Sequence, residues 1–184
     1  MTSAGSVLTS TVSDQDTGGG LIPTSALHLR PIPWHVARGF IIEHHYLHRV
    51  APMQRLCLGV FAHKELGANL IGVMLWGTPI AANRLARGDT TLELTRMYIM
   101  DVTTKNAESR CLAIATRIIR ATFTDTTDLI AYSDIEGRGH TGTIYSAAGW
   151  INDSHTEAMS WAKHPRPGKD RGSNTRKLRW RKVL

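Results

Sequence analysis

The alternation of apolar and polar positions along this chain predicts a mixed β-sheet with helices on both of its faces. Strands are predicted at 27–30, 55–62, 70–76, 92–100, 129–133 and 177–182. Helices are predicted over 33–47, which Pro33 opens, over the residues after Asn106, a typical N-cap, and around Tyr145. The order β-α-β-β-β-α-β-α-β is typical of an α/β fold.

The two strands at 92–100 and 129–133 form the center of this prediction. Alternation puts Glu93 and Arg96 on opposite faces of the first strand, so we expect separate roles for them. The second strand is a short apolar run of the kind found in parallel sheets. Each strand leads into a helix start, which predicts a cleft lined by backbone amides and titratable side chains. The intervening helix is expected to bury Ala107, Cys111, Ile114, Ala115 and Ile118.

A length of 184 residues suits one domain with tails, and 42% apolar and 20% charged residues are typical of a globular protein. Residues 1–26 are rich in Ser, Thr and Gly and are expected to be disordered, whereas 27–162 would form the catalytic domain. No apolar run reaches the roughly 20 residues of a membrane span, and no signal-peptide pattern is visible, so a cytoplasmic protein is expected. Cys57 and Cys111 are expected to be reduced core residues.

Positive charge is concentrated in the C-terminal segment, 163–184. The chain carries a net charge of +7, and this segment holds nine basic residues against one acidic residue, a net of +8, so the rest sums to −1. Such a segment can neutralise phosphates of a nucleic acid, or it can be a solvated tail.

Trp180 lies between Arg179 and Arg181 in this segment. An aromatic ring among cations can stack on bases. Alternatively, Leu178 and Trp180 can anchor a last strand from one of its faces.

A glycine-rich stretch follows the strand at 129–133. Residues 137–142, Gly-Arg-Gly-His-Thr-Gly, match the dinucleotide fingerprint, but they lie too close to the chain end for the βαβ units that such a site needs. We interpret the glycines as allowing close approach of a substrate beside Arg138 and His140, with a purely structural turn as the alternative. Tyr145, on the next helix, can donate a proton to a leaving group or can pack in the core.

Histidines cluster at the end of the first predicted helix. His44 and His48 are four residues apart, a spacing that can bind a metal, although a core role is the alternative for His44. His45 and Tyr46 are expected to reach into the cleft.

Strand, helix, strand and helix ending in Tyr-x-x-x-Gly-aromatic resemble the GNAT acyltransferase superfamily over residues 27–160. Within it, the chain looks like the Mom-like DNA-modification proteins of bacteriophages. The motifs that carry this resemblance are His45-Tyr46, 93–96, 106–110, 132–134 and 139–145. The resemblance implies conversion of adenine in duplex DNA to N6-(carbamoylmethyl)adenine, which protects phage DNA from restriction.

For this reaction we assign hypothetical roles to individual residues. Asp134 would be the general base or the ligand of the adenine amine, and Tyr145 the general acid. His45 and Tyr46 would border the base pocket, and Tyr46, Tyr98 or Trp76 would stack on a flipped base. Substrate contacts are expected from Arg96, Ser133, Arg138, His140, Lys177, Arg179, Trp180 and Arg181.

The acyl donor is where the chain departs from the superfamily. The usual coenzyme A loop, Arg/Gln-x-x-Gly-x-Gly/Ala, should lie between Met100 and Leu112, and this stretch contains no glycine. Phosphates can still bind the helix start, through Lys105, Asn106, Ser109 and Arg110. The donor is therefore either acetyl-coenzyme A or an activated glycine such as glycyl-tRNA, with tRNA as a second nucleic-acid partner beside DNA.

Two other functions remain open on the sequence: a conventional N-acetyltransferase acting on a small amine or a protein, and an inactive GNAT-fold module that binds nucleic acid. The missing glycine loop argues against the first, and the retained Asp134 and Tyr145 argue against the second. The sequence also leaves open an oligomeric state and a metal requirement.

Overall fold

A computed structural model describes residues 20–51, 53–63, 68–79, 90–156 and 175–184. The strands are β1 His28–Pro31, β2 Gln54–Phe61, β3 Leu70–Gly77, β4 Thr91–Ile99, β5 Asp128–Asp134, β6 Ile151–Thr156 and β7 Lys177–Val183. The helices are α1 Trp34–His44, α2 Ala107–Thr122, α3 Ile135–Arg138 and α4 Thr143–Ala147, and a 3-10 turn covers Thr24–Ala26. The predicted order of elements is confirmed, with the short helix α3 and strand β6 added.

All seven strands form one sheet in the order β1-β2-β3-β4-β5-β7-β6. Neighbouring strands are antiparallel except β4 and β5, which are parallel. The predicted C-terminal strand is confirmed as β7, which inserts between β5 and β6. Strand β6 escaped prediction because its sequence, Ile-Asn-Asp-Ser-His-Thr, has no apolar alternation and lies largely exposed at the sheet edge.

Helices cover both faces of the sheet, as predicted. On one face α1 packs on β2, β3 and β4 through a small core of Ala37, Ile41, Val73 and Leu75. On the other face α2 contacts β1 and α4 and belongs to the larger core. The predicted stripe of α2 is partly wrong: Ile114 and Ile118 are only half-buried, and Leu112, Thr116 and Ile119 are buried instead. The buried face is rotated because α2 packs against α4 as well as the sheet.

A β-bulge interrupts β4 at Thr95. Leu75 pairs with Arg96, and the next residue, Trp76, pairs with Leu94, so Thr95 has no opposite residue on β3. An extra residue reverses the alternation of side chains beyond it. The prediction that Glu93 and Arg96 lie on opposite faces is therefore wrong.

The parallel strands β4 and β5 separate beyond this bulge. Their pairing runs from Thr91 opposite Asp128 to Leu94 opposite Ala131 and stops there, although β4 continues to Ile99 and β5 to Asp134. The two strand ends therefore diverge and leave an opening in the middle of the sheet.

The predicted N-terminal tail is partly ordered. Ile22 donates its amide to Val102 O at 2.8 Å and accepts the Thr104 amide at 2.9 Å, so disorder is wrong for 20–26. Residues 1–19, most of the predicted loop at 78–91 and the basic residues of 157–174 lie outside the described residues. Within the described ranges, no helix is long and apolar enough to cross a bilayer.

Candidate active site

The opening between β4 and β5 is a cleft with a volume of about 1020 Å³. Its walls come from the chain after α1, from β4, from the first turn of α2, from the end of β5 and from α4. The lining residues include His45, Tyr46, Arg49, Glu93, Thr95, Arg96, Tyr98, Glu108, Tyr132, Ser133, Asp134, His140, Tyr145 and Lys177. The structure thus brings together half of the predicted site residues: the four catalytic candidates and, of the substrate contacts, Arg96, Ser133, His140 and Lys177.

His45 and Tyr46 line the cleft, as predicted. Helix α1 ends at His44, and His45 is extended and 6% exposed. The Leu47 amide donates to His45 Nδ1 at 3.1 Å, which assigns the proton of the neutral ring to Nε2. The ring stacks on Tyr46, with 4.4 Å between the centroids, and Tyr46 itself is 48% exposed. A buried imidazole with a fixed orientation therefore adjoins an accessible aromatic ring.

His44 and His48 are not brought together. Because α1 ends at His44, the two residues do not share a helical face. His44 stacks on Tyr98 at 5.8 Å and contacts Phe40 at 4.5 Å, whereas His48 Nδ1 bonds to Ile42 O at 2.8 Å. The metal interpretation of this spacing is wrong, and the described residues contain no group of three His, Cys, Asp or Glu side chains that could hold a metal.

Asp134 ends β5 at the cleft, as predicted for a catalytic carboxylate. Its Oδ1 accepts a hydrogen bond from Thr175 Oγ1 at 2.7 Å, and Lys177 is its partner in the β5–β7 register. The His140 amide donates to Asp134 O at 3.0 Å, which turns the chain back so that the exposed His140 lines the cleft. Asp134, His140 and Lys177 thus all belong to the wall of the cleft.

Tyr145 is 7% exposed and forms part of the cleft wall. Its ring lies between Trp150 and Trp180, with centroid distances of 5.6 and 5.7 Å. Burial raises the pKa of Tyr145, and Tyr46 raises it further. The phenol therefore keeps its proton at neutral pH and can donate a hydrogen bond or a proton into the cleft.

Arg96 also lines the cleft, but much of its side chain is committed to the backbone. Its Nε donates to Arg49 O at 3.0 Å and its Nη1 donates to Thr95 O. Burial lowers the pKa of Arg96 below its ordinary value. Tyr46 and Glu93 act in the opposite direction, and Arg49 lowers this pKa further. Glu93 is 6% exposed, lines the same cleft and was missed as a site residue because the bulge cannot be read from alternation.

Trp180 lies in the core, so the prediction that it contacts substrate is wrong. It is 8% exposed, and Nε1 donates to Ser133 Oγ at 2.9 Å. Gly142, with φ 79°, faces this indole so closely that any side chain would overlap it. The glycine at 142 therefore serves a structural turn, the alternative stated above, and not the approach of a substrate.

The arginines on either side of Trp180 pair with acidic residues of the same sheet. Arg179 forms two hydrogen bonds to Asp153, at 2.7 and 2.9 Å, and Arg181 donates to Asp128 at 2.7 Å. The Asp153 pair raises the pKa of Arg179. The predicted substrate contact would have to replace these ion pairs. Arg138 belongs to α3, and its side chain lies outside the described part of the structure.

The stretch before α2 contains no glycine, but it forms a tight turn at Asn106. Asn106 has φ 72° and ψ 15°, the left-handed conformation that usually needs glycine and that asparagine tolerates. Ser109 Oγ donates to Asn106 O at 3.0 Å, and Arg110 N does so at the same distance. Lys105 and Arg110 are exposed at this turn, while Glu108 of the same turn lines the cleft. The stretch therefore forms a left-handed turn before α2 although it contains no glycine.

Comparison with known proteins agrees with this architecture. The Mom protein family matches residues 26–181. Over 128 residues the chain is 30% identical to methylcarbamoylase mom of Escherichia phage Mu. The matched region covers 66% of this chain and 51% of that protein. The chain thus spans about half the length of this relative.

Solved structures that superpose on this chain include acetyltransferases. IAA acetyltransferase from Bacillus cereus superposes with a TM-score of 0.57 at 11% identity, covering 86% of this chain and 100% of that one. An acetyltransferase from Bacillus subtilis in complex with CoA gives a TM-score of 0.52 at 11% identity, covering 86% and 98%. An Arabidopsis thaliana protein in complex with acetyl-CoA gives 0.57 at 8% identity, covering 86% and 100%. These likenesses show the GNAT acetyltransferase fold.

Proposed function

Since this chain belongs to the Mom protein family, we propose that it is a GNAT-fold transferase that converts adenine in double-stranded DNA to N6-(carbamoylmethyl)adenine. Such a base would shield phage or mobile-element DNA from restriction. The reaction would take place in the cytoplasm of the host cell if the chain is phage-encoded.

The observation that carries the proposal is the meeting of an accessible ring, a carboxylate and a protonated phenol in one cleft. Among the three candidates for stacking, Trp76 is fully buried and Tyr98 is half-buried against His44. Tyr46 also has a histidine neighbour, His45, but it is 48% exposed and is therefore the most accessible of the three rings. An adenine flipped out of the duplex would stack on Tyr46 beside His45. Its amine would then point toward Asp134 and Tyr145 farther along the cleft.

The acyl transfer assigns one task to each group. Asp134 accepts a proton from the adenine N6 amine as that nitrogen attacks the donor carbonyl. Tyr145 donates its proton to the leaving group, and its raised pKa keeps the phenol protonated until that step. Arg96 places positive charge in the same cleft, where it would stabilise the developing oxyanion.

The product limits the choice of donor. A carbamoylmethyl group contains an amide nitrogen, which an acetyl group lacks and a glycyl group has. We therefore propose an activated glycine, such as glycyl-tRNA, as the donor. Transfer forms N6–CO–CH2–NH2. The new amine then attacks ring C6, and the bond from C6 to the original nitrogen breaks. The attacking amine loses one proton, which the original nitrogen takes up to become the carboxamide NH2. The rearrangement is isomeric and needs no oxidant.

An acyl-coenzyme A donor is the alternative that the fold itself favours. The turn at Asn106 and the exposed Lys105 and Arg110 suit a diphosphate, and Ser109 lies in the same turn. Coenzyme A would supply a thioester as the activated acyl group. This version of the proposal is a conventional N-acetyltransferase acting on an amine of a small molecule or a protein.

Mass spectrometry of nucleosides from DNA of cells that express the chain tests the proposal. We expect N6-(carbamoylmethyl)-2′-deoxyadenosine whose N6 substituent carries both carbons of labelled glycine and whose N6 is the glycine nitrogen. Label that arrives only from acetate would favour the acetyltransferase, and unmodified adenine with retained DNA binding would favour an inactive binding module. Asp134→Asn and Tyr145→Phe should lose the new base, while Asp101→Asn, an exposed carboxylate outside the cleft lining, should retain it.

A further inference from the structure

The chain between α1 and β2, residues 45–51, forms one wall of the cleft and carries His45 and Tyr46. We call it the 45–51 segment. It contains neither helix nor strand. Two residues have a left-handed backbone: His48 within the segment, with φ 46°, and Met53 just beyond it, with φ 60°. Each such residue costs on the order of 1 kcal/mol, so this conformation must be held by contacts from outside the segment.

One of these contacts passes through Gln54, the first residue of β2. Its Nε2 donates to Ala51 O at 3.0 Å, and its Oε1 accepts from Thr95 Oγ1 at 2.9 Å. Thr95 is the extra residue of the β4 bulge, and its hydroxyl also lies 3.1 Å from Leu75 O. Gly77 leaves room for this amide, because a side chain there would approach both its terminal atoms to 3.3 Å.

A second contact comes from the neighbouring residue of the bulge. Arg96 donates from Nε to Arg49 O at 3.0 Å. The two adjacent residues of the bulge therefore hold the two carbonyl groups near the end of the 45–51 segment, Arg96 directly and Thr95 through Gln54. A regular strand would present these two side chains on opposite faces and could not direct both to one segment.

We infer that Gln54 is a positioning residue of this active site: by joining Ala51 to the bulge at Thr95, it holds the wall that carries His45 and Tyr46. Gln54 is absent from the residues that line the cleft, so it acts through the segment and not on substrate. The effect on turnover rests on the proposed function, whereas the effect on the segment does not.

Three variants test this inference. Gln54→Met removes both hydrogen bonds with a similar volume, and Thr95→Val removes the hydroxyl that reaches Gln54. Thr116→Val is the matched control: Thr95 and Thr116 are both 7% exposed, and Thr116 Oγ1 donates to Leu112 O at 2.8 Å inside α2, outside the cleft lining. All are compared below the temperature at which any of them begins to unfold.

Amide hydrogen exchange gives the readout that does not depend on the reaction. In Gln54→Met and Thr95→Val the Leu47 and His48 amides, both bonded to His45, should exchange about five- to tenfold faster, while Thr116→Val should leave them unchanged. The double variant should be no worse than the stronger single variant, because both changes break one connection. Unchanged exchange in both single variants, or equal acceleration in Thr116→Val, would overturn the inference.

Turnover on DNA supplies the second readout. Gln54→Met should lower kcat for adenine modification by about 10- to 100-fold, and Thr95→Ser should restore activity that Thr95→Val loses. If Thr95→Val fails to fold, Gln54→Met tests the same connection from its half-buried end. If the unaltered chain modifies no adenine, the proposed function fails, and the exchange experiment still decides the role of Gln54. A Gln54→Met enzyme with full turnover and unaltered exchange would show that Gln54 is not a positioning residue.

Discussion

The indole nitrogen of Trp180 donates a 2.9 Å hydrogen bond to the hydroxyl oxygen of Ser133, and both side chains are buried. This bond joins β7 to the end of β5. It also fixes the indole against Tyr145, whose ring stacks on it at 5.7 Å. The wall of the cleft that holds the proposed general acid is thus supported by the last strand of the chain.

Ser133→Ala should destabilise the protein by about 1–3 kcal/mol, because the buried indole N–H of Trp180 would lose its acceptor. Two indole nitrogens among the described residues, of Trp76 and Trp150, already lack a partner. Chemical denaturation measures the loss. Ser146→Ala, at an exposed position, should change stability by less than about 0.5 kcal/mol, and equal effects at both sites would contradict the argument.

Gly142→Ala should cost about 2–4 kcal/mol, because it adds overlap with Trp180 to the strain of a left-handed residue. Gly139 provides a matched control, since it has φ 64° and no atom lies within 4 Å of the position that a Cβ would occupy there. Gly139→Ala should therefore cost only about 1–2 kcal/mol. The difference in melting temperature between the two variants isolates the contact with Trp180, and no difference would show that the indole can move away.

Folding stability should decline as the pH rises above about 10, and Tyr145 should account for part of the decline. Burial raises the pKa of Tyr145 above its ordinary value of 10.0. In that range the unfolded chain releases the phenolic proton while the native protein retains it, so the unfolded state gains relative stability. Denaturation midpoints followed from about pH 8 to about pH 11 should fall less steeply for Tyr145→Phe. Ile144→Val, a nearby change without a titrating group, should keep the original slope.

The two cysteines should differ strongly in reactivity. Burial raises the pKa of Cys111 to about 12, with Glu108 contributing, and the residue is fully buried in α2. Burial also raises the pKa of Cys57, but that residue is half-buried. Alkylation followed by mass spectrometry should modify Cys57 first, and Cys111 only at the rate of unfolding, since the thiolate is the reactive form. Modification of both thiols at the same rate in the native state would contradict this order.

Much of the fold follows from local pattern. The strands β2 to β5 and the helices α1 and α2 were predictable because each has an apolar face with the period of its structure. His45 and Asp134 were predictable in position because they stand where α1 and β5 end, and Tyr145 because it lies on the short helix after the glycine-rich stretch. Strand β6 was not, since a polar edge strand carries no such pattern.

The errors at Thr95 and at Trp180 share one cause, which is that they depend on contacts between distant parts of the chain. Nothing near Thr95 in the sequence marks a bulge, because the extra residue exists only relative to the pairing of β4 with β3. Likewise, a tryptophan between two arginines suits a base-stacking surface until β7 inserts beside β5 and buries it.

The sequence by itself determined the order of elements, the family motifs and the set of chemical groups available to the cleft, because these depend on residue type and local spacing. Only the tertiary structure decided which of those groups meet. The separation of β4 from β5 brings Asp134, Tyr145 and the 45–51 segment together. The bulge turns Arg96 and Thr95 toward that segment, since strand pairing, and not local preference, sets where each side chain points.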